Sequence, residues 1–231
     1  MPLYLPRKVV LNWYLYDVSF SLELIKSFIE GIETQADESV ARFEKKKKTL
    51  VLDEVPEENH TRVVDVHQGL DDETWDLAEL FINYFPSLQR RSALLTLSGY
   101  FEHELDKLCL LYQSERSYQS SLSDIKRKGI DRSTNYLEKV AGIDVHKTSS
   151  EWNEIKKIQK IRNVIVHQDG KLSDYQGNSI KAAKDFIKQV DSLDGEEEVV
   201  IKSGFLSYVV GIYESYFQLL SESISTKEKN A

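Results

Sequence analysis

Residues 90–113, RRSALLTLSGYFEHELDKLCLLYQ, place Leu94, Leu97, Phe101, Leu105, Leu108 and Tyr112 three or four positions apart, which puts them on one side of a helix. An apolar stripe of that length gains nothing until other elements cover it. The chain is therefore expected to build a helical bundle around this segment. Ser98 and Glu102 lie one turn apart beside the stripe. With 231 residues the chain is long enough to bury a self-sufficient core, and its one cysteine, Cys109, rules out an internal disulfide framework. The apolar setting KLCLLY makes Cys109 a small buried hydrophobe rather than a nucleophile.

The remaining pattern agrees with a mostly helical fold. Residues 13–49 read as one long helix with Leu22, Ile25, Phe28, Ile29 and Ile32 at helical spacing and a lysine run, 45–48, at its solvated end. Residues 51–70 contain Pro56 and only a short alternation, so an acidic linker with at most a short strand is expected. Asp71 and Asp72 can cap a helix over TWDLAELFINYF, which Pro86 stops before opening the next one. A short helix or pair of helices follows over 121–141, broken at Gly129. Ser149 or Thr148 caps a helix running to about Gln168 and ending at Gly170. Beyond it come a turn-rich insertion, a helix over 180–190, a short strand in GEEEVVIKSG and a closing helix over 204–224. The expected organisation is a long helix and acidic linker over 1–70, a helical domain over 71–226 and a frayed tail over 227–231.

The amino terminus has early prolines, Pro2 and Pro6, and no continuous apolar run leading to small residues, so a secretory signal is not expected. The apolar stretch GFLSYVVGIY ends at Glu214, short of the roughly 20 residues that span a bilayer. A soluble, cytoplasmic protein without a membrane partner is the expectation. The net charge of −8 is unevenly placed. Residues 123–190 hold 14 Lys and Arg against 9 Asp and Glu, while the rest holds 16 against 29. The basic segment contains KRKGIDR, with Lys126, Arg127 and Lys128, and KKIQKIR, with Lys156 and Lys160. Both could follow a phosphate backbone, or could be ordinary solvated lysines.

Within that segment IRNVIVHQDG raises a specific difficulty. Stepping about 100° per residue from Ile155 collects Ile158, Ile161, Ile165 and Val166 on one arc, and Arg162 falls inside it. Asn163 and His167 lie one turn apart on an adjoining face, in line with Gln159. A buried guanidinium must meet a carboxylate, a phosphate or a wet interface. Glu102 is the preferred carboxylate. A purely structural outcome is a buried Arg162–Glu102 pair with His167 as a favourable cation at the helix end.

RNVIVH, Arg162 to His167, resembles the motif of the HEPN superfamily: an arginine, a polar residue, three variable residues and a histidine. RRSALLTLSGYFEHELDKLCLLYQ upstream is similar to that family's first core helix. VVIKSGFLSYVVGIYESYFQLLSESI downstream is similar to its closing element, and the resemblance covers about residues 75–224. It implies an all-α, HEPN-like helical bundle that dimerises with two motif helices facing each other. It further implies a metal-independent endoribonuclease, used in toxin systems, phage defence or RNA processing, needing no cofactor and no metal and acting on RNA, with a possible antitoxin or regulatory protein as partner.

On that resemblance His167 does acid–base work, Arg162 stabilises the phosphate and Asn163 orients the histidine or the substrate. Glu102, with Ser98 beside it, supports Arg162 from behind, and Lys156, Lys160, Lys126, Arg127 and Lys128 contact RNA. Some family members are catalytically silent modules for dimerisation or partner binding, and an unrelated helical interaction protein with an Arg–Glu core pair is a further reading. In one toxin branch a modifiable tyrosine stands two residues after the histidine; this chain has Asp169 there.

Other constellations point elsewhere or nowhere. His103-Glu104 would begin a zinc helix, but Lys107 stands where the second histidine is needed. His60, His67 and His146 sit in polar surroundings and are expected to be solvated. Neither a P-loop nor a dinucleotide fingerprint is present. Tyr208, Tyr213, Tyr216 and Phe217 are expected in the core or a dimer interface rather than as a base-stacking platform.

Overall fold

A computed structural model describes residues 12–55 and 60–229 of the chain. Pro2, Pro6, Pro56, the side chain of His60, Asn230 and Ala231 lie outside the described residues. Helix α2, Phe85–Arg116, is the axis of the fold. All six residues of the expected stripe are fully buried, from Leu94 to Tyr112.

Pro86 does not separate two helices as expected. Helical backbone begins at Leu77 and continues into α2 through a π-turn, Glu79–Tyr84. A proline has no N–H to give the preceding turn and its ring crowds the carbonyl four residues back. Widening that turn to a five-residue repeat relieves both constraints, so the helix passes through. The cap also differs from expectation: Asp76 Oδ1 accepts the Glu79 N–H at 2.8 Å, whereas Asp71 and Asp72 brace the preceding turn and strand.

The first helix is real but shorter than its pattern. A π-turn, Tyr14–Val18, leads into α1, Ser19–Lys46, and Leu22, Ile29, Ala36 and Phe43 are its buried residues. Phe28, expected on the core stripe, is exposed. Trp13, Val18, Leu22 and Ile29 belong to the same core cluster as α2 and the downstream helices. The boundary expected at residue 70 therefore does not divide the core.

The segment read as a linker is a β-ribbon. Strand β1, Lys48–Val55, pairs antiparallel with β2, His60–His67, from Lys48↔Val66 to Val55↔His60, with an irregularity between Val51 and Asp53. Strand β3, Leu70–Asp71, folds back on β2 through Gln68 and Gly69, both with positive φ, the pairing a tight hairpin of right-handed twist selects. The pairing of TLVLDEV with HTRVVDV rests on main-chain hydrogen bonds across the ribbon, which an acidic composition does not prevent. His67 is not solvated: it is 5% exposed, with its ring edge-on to Phe43 at 5.1 Å and to Phe81 at 4.6 Å. Phe43, Phe81 and Leu77 form a small second cluster that ties the ribbon to the helices.

After α2 come a short 3₁₀ turn, Leu122–Asp124, helix α3, Ile130–Lys139, which begins at Gly129, and helix α4, Ser150–Gln168. Helix α5, Lys181–Ile187, precedes a two-stranded sheet of β4, Leu193–Asp194, and β5, Val200–Ile201. Helix α6, Phe205–Lys229, closes the bundle. Its Tyr213 ring stacks on Phe101 of α2 at 4.2 Å, and Tyr213, Tyr216 and Phe217 are all core.

Of the tail expected to fray over 227–231, the described residues 227–229 are instead the last turn of α6. Lys227 Nζ donates to the Ala141 carbonyl and Glu228 pairs with Arg116. His146 is likewise held, with Nε2 2.6 Å from Ser223 Oγ. The fold is mainly helical with small antiparallel sheets, more strand than expected. No helix among the described residues is long and apolar enough to cross a membrane.

One interaction of α2 gives a direct test. Arg90 is buried and donates through Nε and Nη2 to Glu33 Oε2 of α1, at 2.9 and 2.7 Å. Arg90→Ala leaves the Glu33 carboxylate without its counter-charge and is expected to cost about 3 kcal/mol in urea unfolding, whereas Arg90→Met with Glu33→Met recovers most of that loss. Equal losses in the two variants would show that the ion pair itself, and not the cost of an uncompensated buried carboxylate, carries the stability.

Candidate functional site on helix 4

Ser149 starts α4 as expected, its Oγ accepting the Trp152 N–H at 3.1 Å. The buried residues that follow are Trp152, Ile155, Ile158, Ile161 and Val164, a strict three-residue spacing. Three residues fall about 60° short of a helical turn, so the buried stripe winds around α4 as the helix proceeds. This resolves the difficulty posed by Arg162. The arc centred on Ile155 is core near the start of α4 and has rotated outward by its end. Val166, expected on the core arc, is 42% exposed, and Ile165 is only partly buried.

Arg162 consequently stands half-buried at the edge of an open helix face, with Asn163 and His167 exposed beside it. Its one hydrogen bond among the described residues goes from Nη1 to Asn163 Oδ1 at 3.1 Å. The expected Arg162–Glu102 pair does not form. The Glu102 carboxylate instead lies against Gly129, its Oε2 3.5 Å from where a Cβ would stand, at the amino end of α3. That end carries the positive pole of the helix and suits a carboxylate. Ser98, one turn earlier on α2, is buried close to Tyr213, and so remains behind Arg162. Burial drives the Tyr213 phenol well above its usual range, with Ser98 and the positive charge of Arg162 acting in the opposite direction. Neither the Ser98 Oγ nor the Tyr213 Oη has a hydrogen-bond partner of good geometry.

The basic residues divide. Lys160, Lys126, Arg127 and Lys128 are exposed. Lys156 is neutralised by Asp131, with Nζ 3.0 Å from Oδ1, and also lies over the Trp152 ring at 5.8 Å. The charge that residues 123–190 offer to a polyanion is thus smaller than their composition suggests, since Lys147, Lys157 and Arg132 are also paired with carboxylates.

Three residues outside the motif shape this region. Arg91 of α2, 4% exposed, pairs through Nη1 with Glu198 and donates through Nη2 to the Val199 carbonyl. Its guanidinium occupies the space beside Gly170, where a Cβ would come within 2.7 Å of Nη1. Asp169 and Gly170 end α4 with φ of 53° and 81°, and the Gly170 N–H returns to the Val164 carbonyl at 3.2 Å. Gly170 therefore serves both the turn and the arginine. Tyr213 is the second residue, and its aromatic spacing in α6 signalled core but not its neighbour. Tyr175 is the third: its hydroxyl donates to the His167 carbonyl at 2.8 Å from a turn that carries no sequence sign of contacting the motif.

No group of three or more potential metal ligands occurs among the described residues. Comparison with protein-family models, curated proteins and solved structures finds no match to this chain.

The double role of Gly170 is separable by experiment. Gly177 has the same φ of 81° but open space where a Cβ would stand. Gly177→Ala should cost about 1 kcal/mol of backbone strain, and Gly170→Ala about 2 kcal/mol or more because Arg91 must also move. Matching losses in thermal or urea unfolding would mean that Arg91 yields without cost.

Proposed function

We propose that the chain is a homodimeric, metal-independent endoribonuclease of HEPN type. The observation that carries the reading is that Arg162, half-buried at the edge of the open face of α4 that bears Asn163 and His167, has no carboxylate partner among the described residues. A buried Arg162–Glu102 pair would have explained the arginine structurally, and that pair is absent. The RNVIVH spacing and its resemblance to the family supply the rest.

The chemistry is a transfer of the phosphodiester to the neighbouring 2′-oxygen. One histidine accepts the 2′-hydroxyl proton as that oxygen attacks phosphorus, and a proton is delivered to the departing 5′-oxygen, leaving a 2′,3′-cyclic phosphate and a 5′-hydroxyl. Arg162 holds the non-bridging oxygens as negative charge grows on them, and Asn163 keeps the guanidinium oriented. Only RNA has the 2′-hydroxyl. One chain provides one such histidine on an exposed helix face; a second copy, packed through the Val166 side of α4, supplies another and encloses the substrate. Lys160 and the Lys126–Lys128 loop provide charge for the flanking backbone. Cytoplasmic toxin or antiviral action, checked by an antitoxin or another regulatory protein, is the proposed setting.

Purified wild type is expected to cleave total RNA in EDTA and to run as a dimer, with His167→Ala and Arg162→Ala each losing at least a hundredfold in rate while keeping helicity and mass. A dimer that cleaves none of the RNA offered would support the silent-module reading in place of the enzyme.

A further inference from the structure

Tyr175 is the most exposed large hydrophobic residue described, at 88%. Its position is nevertheless tightly defined. The hydroxyl donates to the His167 carbonyl, one of the acceptors that the end of α4 leaves over. The turn beneath it is braced by Asp174: Oδ1 accepts the N–H groups of Gln176 and Asn178 at 2.9 Å each, and Oδ2 accepts Asn178 Nδ2 at 3.1 Å. These bonds, the Asn178 side chain first, hold the Asp174 carboxyl below its ordinary range. Backbone bonds from Asp174 N–H to Asn178 O and from Gly177 N–H to Asp174 O close the turn. Leu172, fully buried, anchors its near end.

The arrangement holds an aromatic ring in water at the carboxyl end of α4, tied to the backbone of the motif histidine. Capping one carbonyl needs only a hydroxyl, which serine or threonine would supply without exposing a ring. A phenol held at its polar end, with both faces open, is suited to a flat partner. Single-stranded nucleic acid offers such partners, and stacking on them adds to phosphate contacts at little entropic cost when the ring is already placed.

We propose that Tyr175 is a substrate-binding residue that stacks a nucleobase of single-stranded RNA adjacent to the phosphodiester held by Arg162 and His167. This rests on the ribonuclease reading above. It also gives that reading a substrate class, since a base can reach Tyr175 only if it is unpaired.

The test uses the full chain carrying His167→Ala, so that binding is measured without cleavage, and a 12-nucleotide single strand of mixed sequence. Tyr175→Ala is expected to bind about tenfold to a hundredfold more weakly. Tyr175→Phe, which keeps the ring and loses the carbonyl bond, should remain within about threefold. Tyr175→Trp should show indole emission quenched by the strand, beyond any change in the parent, and no response to the same sequence as a duplex. Equal weakening in the alanine and phenylalanine variants would overturn the proposal in favour of a capping hydroxyl. Emission that changes with protein concentration alone would overturn it in favour of a second copy covering the ring. Cleavage by wild type and Tyr175→Ala with the same KM would sink the stacking role and leave the ribonuclease reading intact; absence of both binding and cleavage in wild type would remove the two together.

Discussion

Helix α2 is buried around so much of its circumference that several of its polar residues, Ser87, Arg90, Arg91 and Glu104 among them, are shut off from water, and the rest of the structure is arranged to meet them. Arg90 takes Glu33 from α1, Arg91 takes Glu198 and the Val199 carbonyl, and Ser87 Oγ accepts the Ile201 N–H at 2.9 Å. Glu104, almost fully buried, pairs with Lys107 of its own helix at 2.8 Å and accepts from Ser21 Oγ of α1 at 3.3 Å. Burying any of these alone would cost several kcal/mol, so each fixes where a neighbouring element can lie. The segment at 198–201, far away in sequence and only briefly a strand, is placed by two of them. Hydrophobic burial drives the bundle together, and these polar contacts decide its register.

The same logic reaches the candidate site. Arg91 sits where the carboxyl end of α4 turns away, and Gly170 leaves it the room. A guanidinium at that pole is favourable to the helix as well as to Glu198. The end of α4, and with it the position of His167, thus depends on a residue of α2 and on a loop after α5. Further along, the winding buried stripe of α4 leaves Arg162 at the edge of the core while Trp152, Ile155, Ile158, Ile161 and Val164 stay inside it. Two arginines in this protein carry opposite assignments: Arg91 is enclosed by acceptors, and Arg162 hydrogen-bonds only Asn163 among the described residues.

Much of this was legible beforehand where the signal was local. The stripe of α2, the Ser149 cap, the end of α4 near Gly170, the burial of Cys109 and the aromatic core face of α6 all follow from spacing and capping chemistry. The misreadings share a cause. Pro86 looked like a stop because a π-turn cannot be read from residue types. The β-ribbon at 48–67 looked like a linker because its composition is acidic, while its pairing depends on contacts across strands. His67 looked solvated because its neighbours in sequence are polar, and its neighbours in space are Phe43 and Phe81. A uniform 100° step puts Arg162 on the core arc opposite Glu102, whereas the buried stripe of α4 winds away from it.

Residue order alone marks most of the helical segments, the residues too apolar to stay in water, and the placing of Arg162, Asn163 and His167 at one end of one helix, because each of these depends on neighbours within a turn or two. Only the tertiary structure decided which way that helix end faces, that Glu102 is spent on the start of α3, that Arg91 clamps Gly170, and that Tyr175 is tied to the His167 carbonyl. Those outcomes depend on groups tens of residues apart competing for the same buried space and the same acceptors, a competition settled by packing rather than by any local preference.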